Sequence, residues 1–168
     1  MKILSLLMAS VLSMGLPALA FPADVTTSLS DQKTTEPAVV SAVKQANKSV
    51  YVAIYSLTDQ NIVDALIYAK QHGARVEVKY DSVQSSQKNM AANLVRLSQA
   101  DIPADKIVVR NRGVMHHKFA VVDERMVVTG SYNWTANATQ NNWENLVVIV
   151  SNDVARIYKA EWDRIKTK

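Results

Sequence analysis

The stretch VMHHKFAVVDERMVVTGSYNWTANATQNNWENLVVIV, Val114 to Val150, contains two apolar runs either side of a charged turn and a third beyond a polar loop. Phe119 to Val122 and Met126 to Thr129 flank Asp123-Glu124-Arg125, a spacing that predicts a hairpin with strands at Lys118 to Val122 and Met126 to Thr129, and Asn145 to Val150 supplies a third strand. Side chains alternate faces along a strand, so His116 and Lys118, two apart at its entry, share one face while His117 points to the other. The return strand brings Gly130-Ser131-Tyr132-Asn133 back to the end where the hairpin began, with Ser131 and Asn133 again two apart. One end of the sheet thus collects an imidazole, an ammonium, a hydroxyl and an amide, and the last three donate hydrogen bonds to an anion. Glu144, entering the third strand, adds a carboxylate able to hold the imidazole by its second nitrogen, in the general arrangement of nucleophile, anion binder and orienter. Asp123 lies five residues past Lys118, about 16 Å along a straight strand, and is outside that site unless the strand bends sharply.

Outward from this stretch, apolar spacing after Glu36-Pro37 predicts a first helix on Val39, Val40, Ala42, Val43 and Ala46. Ser49 to Ser56 is β-branched and aromatic without polar alternation, as in a strand covered on both faces. Asp59 caps a second helix, and Gly73 stops it in a left-handed conformation. A strand at Arg75 to Tyr80 and a polar loop at Asp81 to Asn89 follow. A helix on Met90, Leu94 and Leu97 ends before Pro103, and Lys106 to Arg110 is the next strand. A closing helix points Val154, Ile157, Tyr158, Trp162 and Ile165 inward. The expectation is a single α/β domain over residues 36–168, a mixed β-sheet flanked by helices on both faces. Residues 21–35, rich in Ser, Thr and Asp, read as a loosely ordered lead.

Residues 1–20 have a Lys at the front, an apolar stretch and a small-x-small ending at Ala18-Leu19-Ala20, the pattern of a secretory signal peptide. The expectation is export, to the periplasm or beyond, after cleavage near Ala20. A composition 48% hydrophobic and 20% charged excludes a disordered tail, a collagen-like fibre and a multi-span membrane protein. The absence of cysteine excludes a disulfide framework, a thiol nucleophile and a thiolate metal site. A formal charge of +4 fits a phosphate-bearing partner without requiring one.

His116-His117-Lys118-Phe119-Ala120-Val121-Val122-Asp123 resembles the H-x-K-x4-D motif of the phospholipase D superfamily. Gly130-Ser131-Tyr132-Asn133 matches that family's Gly-Ser-x-Asn element, with Glu144 in the acidic position downstream. One motif and the short Gly-Ser-x-Asn spacing make the chain similar to the small bacterial endonucleases of the superfamily. The resemblance implies a phospholipase D-like fold and a His116 that attacks phosphorus to give a covalent phosphohistidine. It further implies that Lys118 and Asn133 bind the non-bridging oxygens with Ser131 beside them, that Glu144 fixes the imidazole tautomer, and that Asp123 is structural. A single histidine cannot be neutral nucleophile and protonated acid together, so one motif per chain implies a homodimer in which two His116 residues face each other. Paired Lys118 and Asn133 groups would then neutralise charge without a metal ion or other cofactor.

Adjacent histidines on a strand are poorly placed as co-ligands, which also argues against zinc. Arg110 and Arg112, with Lys79 and Lys88, are candidates for a groove along a phosphate backbone, and Trp134 and Trp143 for stacking on bases. Nothing resembles a base-reading module, so contacts with DNA should be to the backbone and insensitive to sequence, with RNA left open as a substrate. The expected function is a metal-independent, sequence-nonspecific endonuclease without stable membrane association after signal cleavage. A phospholipase D acting on lipid would use the same residues, although no amphipathic anchor is evident. A catalytically silent nucleic-acid-binding module is the remaining alternative, disfavoured because every motif position is filled.

Overall fold

The computed structural model describes residues 23–30, 33–111 and 113–167; the expected export segment, residues 1–20, and Arg112 lie outside them. Seven strands form one mixed sheet. Strands β2 (Ser49–Ile54), β3 (Arg75–Asp81) and β4 (Ala104–Ile107) run parallel, while β5 (Lys118–Val122), β6 (Met126–Gly130), β7 (Asn145–Val150) and β1 (Asp24–Leu29) add antiparallel neighbours, giving the order β1-β7-β6-β5-β2-β3-β4. All six residues of β2 are buried, as its unbroken apolar run requires of a strand with helices on both sides.

Alternation along the strands divides the core. Val50, Val52, Ile54, Ala120 and Val128 pack under α1 (Thr35–Lys44), α2 (Gln60–Gln71) and α3 (Lys88–Gln99). Tyr51, Ala53, Phe119, Val121 and Val127 face one helix, α5 (Asn152–Arg164), whose Trp162 indole donates to the Val52 carbonyl at 2.9 Å. Each such fully buried large side chain contributes about 1.5–3 kcal/mol from the area it removes from water. Asp59 caps α2 by accepting from the Asn61 and Ile62 amides, and Gly73 follows that helix with φ of 94°, a conformation open to glycine at no steric cost.

Several expectations are corrected. The lead at residues 21–35 carries β1, which pairs with β7 over Asp24–Leu29. Its sequence DVTTSL hides this because an edge strand is held by backbone bonds and needs no apolar face. Strand β4 begins at Ala104 and ends at Ile107, in parallel register with Val78–Asp81, so residues 108–110 belong to the loop. The polar loop after β3 is a 3-10 turn, Gln84–Ser86, and a short helix α4 (Ala136–Asn141) follows the Gly-Ser-x-Asn element. Ile157 is half exposed, because α5 packs through Ala155, Tyr158 and Trp162 instead. Lys79 lines no groove: it is buried, and its ammonium donates to the Trp162 and Ile165 carbonyls at 2.8 and 2.9 Å, closing the negative end of α5.

Candidate active site

The sheet end formed by the start of β5, the end of β6 and the start of β7 presents the motif residues. His116 and His117 diverge as strand geometry requires. The His117 imidazole lies 3.4 Å from Glu161 of α5, with its ring against Phe119. His116 stands edge-on to Tyr55, ring centroids 4.7 Å apart, just past β2. The Tyr55 hydroxyl accepts from Gln84 at 2.7 Å, which fixes that ring. Lys118 is 92% removed from solvent at 8% exposure, yet its ammonium bonds only the His116 carbonyl, at 2.9 Å, and sits 5.2 Å over the Tyr55 ring. Burial pushes its pKa down, opposed by the charge of Glu144.

The His116 imidazole is held below its ordinary pKa, first by burial, then by the Lys118 and His117 charges, against an opposing pull from Asp81. Loss of charge leaves the lone pair a nucleophile needs. Asp81, read from the sequence only as the start of a polar loop, ends β3 and is 1% exposed. Its two oxygens accept from the Val83 and Met115 amides at 2.8 and 2.7 Å, which pins the loop one residue before His116.

Gly130 lets β6 and β7 close: a Cβ there would lie 2.2 Å from the Asn145 carbonyl oxygen and 2.9 Å from the Leu146 Cα, both backbone atoms. The next residue, Ser131, donates its amide to that carbonyl at 3.1 Å and its hydroxyl to Glu144. Glu144 also accepts from Asn142 at 3.0 Å, and its own amide donates to Ser30 at 2.7 Å, so the turn after β1 clasps this loop. The expected bond from Glu144 to His116 is not made within one chain. The Ser131 hydroxyl and Asn142 amide take the carboxylate instead, and among the described residues no side chain hydrogen-bonds the imidazole. Asn133 is half-buried, and its amide oxygen is shut from water without a partner, an orphaned polar atom of the kind found at working sites.

Asp123 is at the opposite end of β5. It accepts from the Asn47, Lys48 and Ser49 amides at 2.8–3.2 Å, in a turn whose Asp123 and Glu124 both have positive φ. Burial alone would raise its pKa, but those amides, joined by Arg125, outweigh burial and hold it below the usual carboxylate range. Trp134 is corrected as a substrate contact: it is fully buried, and its carbonyl accepts from Thr58 and Asp59, which turns the ring into the helix-side core. Trp143 is 85% exposed beside Glu144. Arg110 and Lys88 are exposed on separate elements, the loop after β4 and the first turn of α3. Among the described residues no three His, Asp or Glu side chains cluster to hold a metal ion.

The family model described as "Cardiolipin synthase, PLD-like domain" matches residues 39–166. Among curated relatives, a phospholipase D of Rickettsia conorii is 30% identical over 124 residues, 74% of this chain and 60% of that protein. The human mitochondrial cardiolipin hydrolase is 31% identical over 127 residues, 76% of this chain and 49% of that one. The chain therefore spans about half to three-fifths of the length of these relatives. Among solved structures, the phospholipase D family member Nuc from Salmonella typhimurium superposes with a TM-score of 0.80 at 27% identity, covering 88% of this chain and 100% of that one. NucT from Helicobacter pylori shares the fold at a TM-score of 0.76 and 24% identity, over 84% of this chain and 96% of that one. With the H-x-K-x4-D and Gly-Ser-x-Asn elements meeting at one end of a sheet of this architecture, the chain belongs to the phospholipase D superfamily of phosphodiesterases.

Proposed function

We propose that this domain is a metal-independent endonuclease that hydrolyses phosphodiester bonds of DNA without sequence preference, RNA remaining a second substrate. The observation that carries the reading is the fold match to Nuc, which extends over the whole of that compact protein and over 88% of this chain. His116, favoured in its neutral form, attacks phosphorus; a P–N bond forms as the P–O bond to the leaving nucleoside breaks. Lys118 and Asn133 hold the non-bridging oxygens, with Ser131 beside them, and water then hydrolyses the phosphohistidine.

The leaving oxygen needs a proton, and the only imidazole on this face of one chain is the nucleophile. A second copy supplies it. One helix covers the α5 side of the sheet, where three cover the other, and leaves Val25 and Leu29 of β1, Ile157 of α5 and nearby Trp143 exposed. These apolar side chains support a homodimer interface bordering the site. The signal-like pattern of residues 1–20 supports a location outside the cytoplasm, after cleavage near Ala20.

Incubating the protein and His116→Ala with plasmid DNA in excess EDTA tests this reading. Cleavage by the first alone supports it, and cleavage that requires added Mg²⁺ contradicts it. The lipid reading draws on the relatives' names and on Trp143, an aromatic suited to a membrane interface. Release of phosphatidic acid from cardiolipin vesicles, with DNA left intact, would favour it.

A further inference from the structure

A trough of about 440 Å³ opens from His116 and runs between the loop after β4 and the last turn of α5. Its deeper lining is apolar, from Ile107, Val109 and Ile165, and its α5 side carries two exposed cations, Arg164 and Lys166. Arg164 is not loose. Glu161 accepts from its Nε at 3.2 Å and from a terminal nitrogen, and the same carboxylate faces His117 at 3.4 Å. The guanidinium is thereby held at the mouth of the trough with donors to spare, since it has five.

We propose that this trough is the subsite for the nucleotide adjoining the scissile phosphate, with its base on the apolar lining and its phosphate on Arg164 and Lys166. The inference rests on the nucleic-acid reading above. Three features select this occupant. His116 is among the residues lining the trough, so a strand bound there passes the attacking residue. Its cations match the one negative charge each nucleotide carries, and its apolar lining accepts the face of any base, as a sequence-insensitive enzyme needs.

The test compares wild type with Arg164→Ala/Lys166→Ala on a single-stranded oligonucleotide and on bis(4-nitrophenyl) phosphate, a diester with no flanking nucleotide. The double variant should lose about tenfold or more in kcat/KM on the oligonucleotide, mainly through KM. The slope of log kcat/KM against log salt should become shallower by about 0.7, for the one phosphate left without its cations. Its rate on the small diester should stay within twofold. Val114→Asp, which places an anion at the trough's rim, should show the same split. Unchanged oligonucleotide cleavage, or equal losses on both substrates, overturns the subsite while the nuclease reading stands. A wild-type protein that hydrolyses the small diester but leaves the oligonucleotide intact sinks that reading, and the subsite with it.

Discussion

The two ends of the β5–β6 hairpin carry residues of one sequence motif and treat them in opposite ways. At the turn end, the Asp123 carboxylate is saturated by three backbone amides and ties the hairpin to the start of β2. At the open end, among the described residues, the His116 imidazole has no hydrogen-bonding side chain, Lys118 is buried against a single carbonyl, and Asn133 keeps an orphaned oxygen. A polar group whose partners are all inside the fold is spent on stability. One left short of partners is available to a ligand, and the contrast fits the proposed roles of the motif's histidine and lysine in chemistry and of its aspartate in architecture.

The sharpest way to break the comparison is to exchange the consequences. His116→Ala should lose about four orders of magnitude or more in rate on any phosphodiester while melting at the wild-type temperature. Asp123→Ala should do the reverse. Three charge-assisted amide bonds predict a loss of about 2–3 kcal/mol, or about 5–10 °C in Tm, measured by thermal unfolding, with kcat within a few-fold where the protein is folded. Because the folded-state pKa of Asp123 is depressed, its contribution is full above the ordinary carboxylate value and disappears as pH falls through the lower, folded-state value. The stability gap between wild type and Asp123→Ala should therefore narrow in acid.

A smaller effect sharpens the open end. His116 is neutral further into acid than a free imidazole, so the acid limb of kcat/KM should lie below about 6.5. The Asp81 charge opposes that shift, and Asp81→Asn should move the limb to still lower pH. A limb that stays fixed in a folded Asp81→Asn protein would remove Asp81 from any electrostatic role at His116.

Much of this arrangement is legible in the sequence, for a geometric reason. Period-2 alternation puts His116 and Lys118 on one face, and a hairpin register pairing Phe119 with Thr129 returns Ser131 to the same end. What escapes is set by packing between distant segments. Tyr55 and Asp81 reach the site only because β2 ends beside the start of β5 and β3 ends alongside β2, and neither carries a local signal. Trp134 sits in the loop next to Asn133, where a stacking role is a natural reading. Its bridge to Leu57 decides instead that the ring faces the core. Lys79 looks like a surface cation until the end of α5 arrives above it with two carbonyls. Helix α4, six residues long, is too short to show a period.

The central claim is that His116 forms a bond to phosphorus. Bis(4-nitrophenyl) phosphate offers the most direct test, by rapid alkaline quench during turnover followed by mass analysis of the peptide holding residues 114–122. The account predicts a 4-nitrophenylphosphoryl adduct on His116 that forms with a burst of 4-nitrophenol and is absent in His116→Ala. Turnover without an adduct, or an adduct on a different residue, would contradict it.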